Sequence, residues 1–162
     1  MSPTIEGHQD VPVKTEGEER LEGFKGLLGQ IEERANRVVA EKDGVVDGEA
    51  VKFGKAGFRN EIMEIGRIAR QASIMLDHAA FSPAINPFKV NGGPHEITLG
   101  RMATIGTDDE FNRLFEMGDT TELTAFLQNF FDSAKSITAK FEAFDKANQG
   151  ELSAAIVKGE GK

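Results

Sequence analysis

The side chains best suited to catalysis or metal binding are few in this chain. Three histidines, His8, His78 and His95, are its only imidazoles, and there is no cysteine. Without thiols there is no disulfide, no thiolate metal site and no thiol nucleophile. Neither H-E-x-x-H nor E-x-x-H occurs, so zincin and ferritin-like di-iron chemistry lack their ligand spacing. Asp77-His78 and His95-Glu96 are sequence neighbours, and adjacent side chains splay apart; each histidine reads as a lone surface or partly packed imidazole. No serine sits in a G-x-S-x-G elbow, and no glycine run matches a phosphate-binding or dinucleotide loop. Gly23, Gly26 and Gly29 recur every third residue inside a helical pattern, the wrong spacing for either. Glu61 and Glu64 lie on one helix side, where Arg59, Arg67 and Arg70 stand close enough to neutralise them. The sequence thus assigns no catalytic residue, no metal ligand and no cofactor.

A sharper feature is basic. At 100° per residue, Arg59, Arg67 and Arg70 fall within about 80° of one another, away from the apolar stripe of their helix. Lys52 and Lys55 join this ridge if the helix starts early. Such a ridge suits phosphates or an acidic protein surface. The net charge of -8 and the absence of Tyr and Trp argue against base stacking on nucleic acid. A second stretch, Phe141 to Ser153, resembles the end of an incoming EF-hand helix and its loop. Asp145 would be the first ligand, with Gln149, Gly150, Leu152 and Ser153 at the fifth, sixth, eighth and ninth positions. Ala147 and Ile156 occupy the third and twelfth positions, where oxygen ligands are required, so calcium binding is not expected. The plainer reading is a helix end stopped by Gly150.

The elements that must carry these residues read as helices. Residues 1–14, with Pro3, Gly7 and Pro12, read as a mobile arm. Thr15 and Glu18 form a capping-box pair, after which Leu21, Phe24, Leu28, Ile31, Ala35 and Val38 alternate at spacings of three and four, predicting a helix to about Glu41. Its glycines imply either fraying or close approach of a partner helix, with close approach favoured. Asp47-Gly48 within 42–53 signals a small hairpin or loop. A second helix spans about Ala56 to Ala80, striped by Phe58, Ile62, Ile65, Ala69, Ala72, Leu76 and Ala79. Three prolines and Gly92-Gly93 make 81–106 a long connection with at most one short element near Ile97 to Ile105. Thr107 and Glu110 frame a short helix that Gly118 stops, and Asp119 caps a last one. That last helix is striped by Leu123, Leu127, Phe130, Ala134, Ile137, Phe141 and Phe144, with Phe126 and Phe131 widening the stripe. The expected fold is therefore all-α: a bundle of three long helices and one short one, with a helical domain over 15–150 and a tail over 151–162.

At 39% hydrophobic and 28% charged, 162 residues suffice for one domain with a real core. Charge is segregated, with acidic excess over 1–50 and 105–162 and basic excess over 51–104, which favours attraction within or between copies of the chain. No uncharged run approaches the ~20 residues of a membrane span, and no apolar stretch of signal-peptide length opens the chain. The expectation is a cytoplasmic protein, or one inside a particle assembled there. Its function is read as that of a non-catalytic assembly subunit, of virion, filament or scaffold type, packing with copies of itself or within a larger complex. Two alternatives come from other classes. One is a helical ribonucleoprotein subunit touching backbone phosphates through Arg59, Arg67 and Arg70. The other is an enzyme whose site lies in 81–110, using His95 and Glu96 with Asp108 or Asp109.

Overall fold

The computed structural model describes residues 13–41, 55–93, 96–117 and 120–160, and all regular structure among them is helical. The elements are α1 (Glu16–Glu41), α2 (Lys55–Asp77), α3 (Ile85–Lys89), α4 (Leu99–Ala103), a 3-10 turn η1 (Ile105–Thr107), α5 (Asp109–Met117), α6 (Thr120–Lys135), α7 (Ile137–Ala147) and α8 (Glu151–Lys158). The all-α expectation holds, but among the described residues eight helices replace the expected three long and one short. The expected hairpin at 42–53, the arm up to residue 12, and Gly118 and Asp119 lie outside the described residues.

The start of α1 follows from its sequence. The Glu18 amide donates to Thr15 Oγ1 and the Thr15 amide donates to Glu18 Oε1, both at 3.0 Å, so two orphan N–H groups satisfy each other's side chains. From there Phe24, Leu28, Ile31, Ala35 and Val38 are buried, as their spacing predicts. On α2 the buried set is Ile62, Ile65, Ile68, Ala69, Ala72 and Leu76. Helix α1 is the central strut, packed against α2, α6, α7 and α8, while α2 also lies along α4. Two phenylalanine groups fill the core. Phe24, Phe88, Phe141 and Phe144 meet mostly edge to face, and Phe111, Phe115, Phe126, Phe130 and Phe131 form the other group.

Three expectations need correction. The last long helix is two helices meeting at Ser136. Ser136 Oγ donates to the carbonyls of Asp132 at 3.0 Å and Ser133 at 3.3 Å, a side-chain competitor for the helical ladder. The apolar stripe nevertheless continues through the break, with Phe130, Ala134, Ile137 and Phe141 all buried. The short helix after the connection is capped by Asp108, whose Oδ1 accepts from the Phe111 amide at 2.8 Å; Thr107 instead donates to the Thr104 carbonyl. Its carboxylate also binds Arg101, which fixes it at the cap. Finally, residues 151–158 are helix α8 and part of the core, with Leu152, Ala155 and Ile156 buried. Arg20 ties its end to α1 by donating to the carbonyls of Ile156 at 3.0 Å and Val157 at 2.7 Å, a cation at a helix C-terminus.

The connection over 81–106 contains two short helices and a 3-10 turn. Thr98 caps α4 by accepting from the Arg101 amide at 3.2 Å. The buried Ile97 amide donates to Ser133 Oγ at 3.0 Å, pinning the segment to α6. Gly66 lets α2 approach α4: a Cβ there would sit 2.8 Å from Ile105 Cγ2 and 2.9 Å from the Met102 carbonyl.

Candidate functional site

The basic ridge is only partly a ridge. Lys52 lies outside the described residues, and Lys55 begins α2. Arg59 is half-buried, its guanidinium 5.6 Å and 5.3 Å from the ring centres of Phe111 and Phe115 and donating to Asn112 Oδ1 at 3.4 Å. It braces α5 against α2. Arg67 and Arg70 remain on the exposed face, so the structure brings together two of the five predicted residues.

Arg67 donates to Glu64 Oε2 at 2.5 Å and, through Nε, to both carboxylate oxygens. The Arg67 guanidinium holds the Glu64 carboxyl below the usual range, against a smaller opposing effect of burial and with help from Arg34. Arg34 of α1 reaches Glu61 at 3.2 Å and Glu64 at 3.9 Å, so this carboxylate pair is balanced by Arg34 across the α1–α2 seam together with Arg67 on α2 itself. Arg70 has no carboxylate partner among the described residues. Arg67 and Arg70 line a hollow of about 260 Å³ with Met63, Gly66, Thr104 and Thr107.

Two apolar side chains share this face: Met63 is 36% exposed and Ile74 44% exposed. Met63, Arg67, Arg70 and Ile74 follow one another at spacings of four, three and four, which places them along one line of a helix. The inward stripe of α2 was plain in the sequence, and this second, outward stripe carries the same 3–4 signature. It was missed because it mixes charged with apolar residues. Beyond the helix end, Phe81 is 81% exposed and lines a further hollow with Asp77 and Ile85.

The remaining predicted residues are dispersed. His8 and His95 lie outside the described residues, and His78 is exposed just after α2. Asp77 is paired with Lys89. Glu96 is paired with Lys140 and accepts from the Gly93 amide, and burial pushes the Lys140 ammonium below its ordinary range. Asp108 is held on Arg101, at 2.7 Å and 3.3 Å, and Arg101 also reaches Glu110 at 2.9 Å and lies 5.3 Å from the Phe126 ring centre. Burial opposes ionisation of Asp108, but hydrogen bonds from Arg101 and the Phe111 amide outweigh it and hold the carboxyl below its usual value. Asp109 is exposed in the first turn of α5. Glu96 and Asp108 thus serve separate structural pairs. In the EF-hand-like stretch, Asp145 accepts from the Ser153 amide at 2.9 Å and the Ser153 hydroxyl at 2.6 Å, tying the start of α8 to α7. Gln149 and Gly150 take the left-handed turn between these helices, with φ of 57° and 79°. No group of three or more metal-ligating side chains occurs among the described residues, and no described helix is long and apolar enough to cross a membrane.

Comparison with protein-family models, with curated proteins and with solved structures finds no match to this chain.

Proposed function

We propose that this protein is a non-catalytic assembly subunit, a helical module that packs with copies of itself within a larger structure. The observation that carries this reading is the outward face of α2, where Met63 and Ile74 expose apolar surface beside Arg67 and Arg70. Apolar side chains rimmed by guanidinium groups have the composition of a protein-binding patch. Elsewhere three of the carboxylates that could do chemistry serve internal work: Asp108 caps α5, Asp145 joins α7 to α8, and Glu96 holds Lys140.

A second reading, contact with a phosphate backbone, is favoured by Arg67 and Arg70 lining one hollow with two threonines. Two experiments separate the readings. Light scattering behind size-exclusion chromatography, across protein concentration and salt, is expected to show mass rising above the 17.6 kDa monomer with concentration. A strict monomer under every condition overturns self-assembly. RNA binding that weakens steeply with salt and is lost in Arg67→Glu would instead establish the phosphate reading.

A further inference from the structure

The assembly face has a complement on the same molecule. On the outside of α1, Glu19, Glu22, Gly26, Gly29 and Glu33 are all exposed and follow at spacings of three, four, three and four. This is again a single line along a helix, acidic where the line on α2 is basic. A Cβ built on Gly26 or Gly29 meets nothing within 4 Å among the described residues, so the middle of this line is a shallow depression over bare backbone.

Charge decides which faces can meet. Placing α2 on its own copy sets Arg67 and Arg70 against Arg67 and Arg70, and placing α1 on its own copy sets glutamates against glutamates. Like charges in contact are costly, and opposite ones steer and register an encounter. The α1-to-α2 pairing brings opposite signs together across two different faces of the molecule.

Spacing decides the register. Resting on the assembly reading above, we infer that the outer face of α2 docks antiparallel on the outer face of α1 in a second copy, with Met63 over Gly26, Arg67 against Glu22 and Arg70 against Glu19. In this register the first two steps along α2, four then three residues, are matched by equal steps along α1, and the last, to Ile74, falls at Thr15 just before α1 begins. The bulky Met63 enters the space that Gly26 leaves open, a knob over a position without a side chain. Arg70, without a carboxylate partner among the described residues, gains one. Glu22 exchanges its exposed partner Lys14 for Arg67, and Arg67 need only turn from Glu64, which keeps Arg34. The contact has a length of about 16 Å, set by the eleven steps from Met63 to Ile74 at ~1.5 Å each.

Charge reversal tests the pairing on the full chain by sedimentation equilibrium. Arg67→Glu with Arg70→Glu, and separately Glu19→Arg with Glu22→Arg, should each weaken self-association about tenfold or more. Combining all four substitutions in one chain restores opposite signs and should return association to within about threefold of the original. Circular dichroism melting is expected to stay within a few degrees for each variant, since all four side chains are exposed. Gly26→Phe gives an independent check: it fills the depression and should abolish association while leaving the monomer folded. Failure of the fourfold variant to recover, or association that survives both double reversals, overturns this pairing while leaving self-assembly standing. A wild-type chain that never associates overturns the assembly reading itself.

Discussion

Two sets of glycines in the long helices are alike in sequence and opposite in circumstance. Gly17 and Gly66 stand where another element crosses: a Cβ on Gly17 would come within 2.2 Å of the Val157 carbonyl oxygen, and one on Gly66 within 2.9 Å of the Met102 carbonyl. Gly23, Gly26 and Gly29 open onto nothing among the described residues. The first set shapes the fold, because only a residue without a side chain permits that backbone approach. The second set costs helix propensity and gains no packing contact among the described residues. The arginines divide in the same way. Arg101 is engaged by Asp108, Glu110 and the Phe126 ring, whereas Arg70 is exposed and has no carboxylate partner among the described residues. The molecule thus separates residues that serve its own packing from residues that have no such contact among the described residues.

The harshest way to break this distinction is at the crossing glycines. Gly17→Ala forces its methyl into backbone of α8, which cannot yield as a side-chain tip would. Overpacking of this kind is expected to destabilise by roughly 2–3 kcal/mol, lowering the melting temperature by about 5–10 °C. Loss of α8 docking should accompany it, visible as faster amide exchange over 151–158. A melting temperature unchanged by Gly17→Ala would mean that α8 does not seat on α1 in this way.

Arg101 gives the next largest effect and adds a pH signature. Arg101→Gln removes the partner that holds Asp108 ionised despite its burial, and should cost about 1–2 kcal/mol at neutral pH, a figure already reduced for the partial exposure of the pair. The folded carboxyl lies below its unfolded value of ~3.9, so its stabilisation is complete above that value and disappears as pH falls through the lower folded one. In the variant, burial is left unopposed by the guanidinium and the folded pKa rises. The acid-unfolding curve should therefore move to higher pH, and the two proteins should converge in stability at the acid extreme. Urea titrations between pH 2 and 7 measure this directly.

What was legible in the sequence was what local spacing controls. The Thr15–Glu18 capping box, the inward stripes of α1 and α2, and the burial of Phe130 and Phe141 all depend on residues within a turn of one another. The break at Ser136 was not legible: no proline or glycine marks it, and the stripe runs through it because both helices face the same core. Helix α8 was read as tail because eight residues offer only Leu152, Ala155 and Ile156 as pattern, and its stability comes from α1 through Arg20 and Gly17, far away in sequence. Of the candidate face, Arg67 and Arg70 were visible as a basic pair, but Arg59 was taken for a third member because its two aromatic partners lie on α5. Met63 and Ile74 went unnoticed because exposure is a tertiary property that the α2 pattern alone does not declare.

The smallest expected effect has the opposite sign, which makes it the sharpest test of the comparison. Gly26→Ala adds a methyl to open space in a helix interior and narrows the unfolded ensemble, so the monomer should gain about 0.5–1 kcal/mol. Measured at concentrations low enough to keep the chain monomeric, the same Gly→Ala change would then stabilise at residue 26 and destabilise at residue 17 of a single helix. A gain at 26 leaves the glycine without an intramolecular reason, which is the condition for assigning it to contact with another copy. A loss at 26 would place an undescribed part of the same chain against that face and remove the vacancy into which Met63 is proposed to dock.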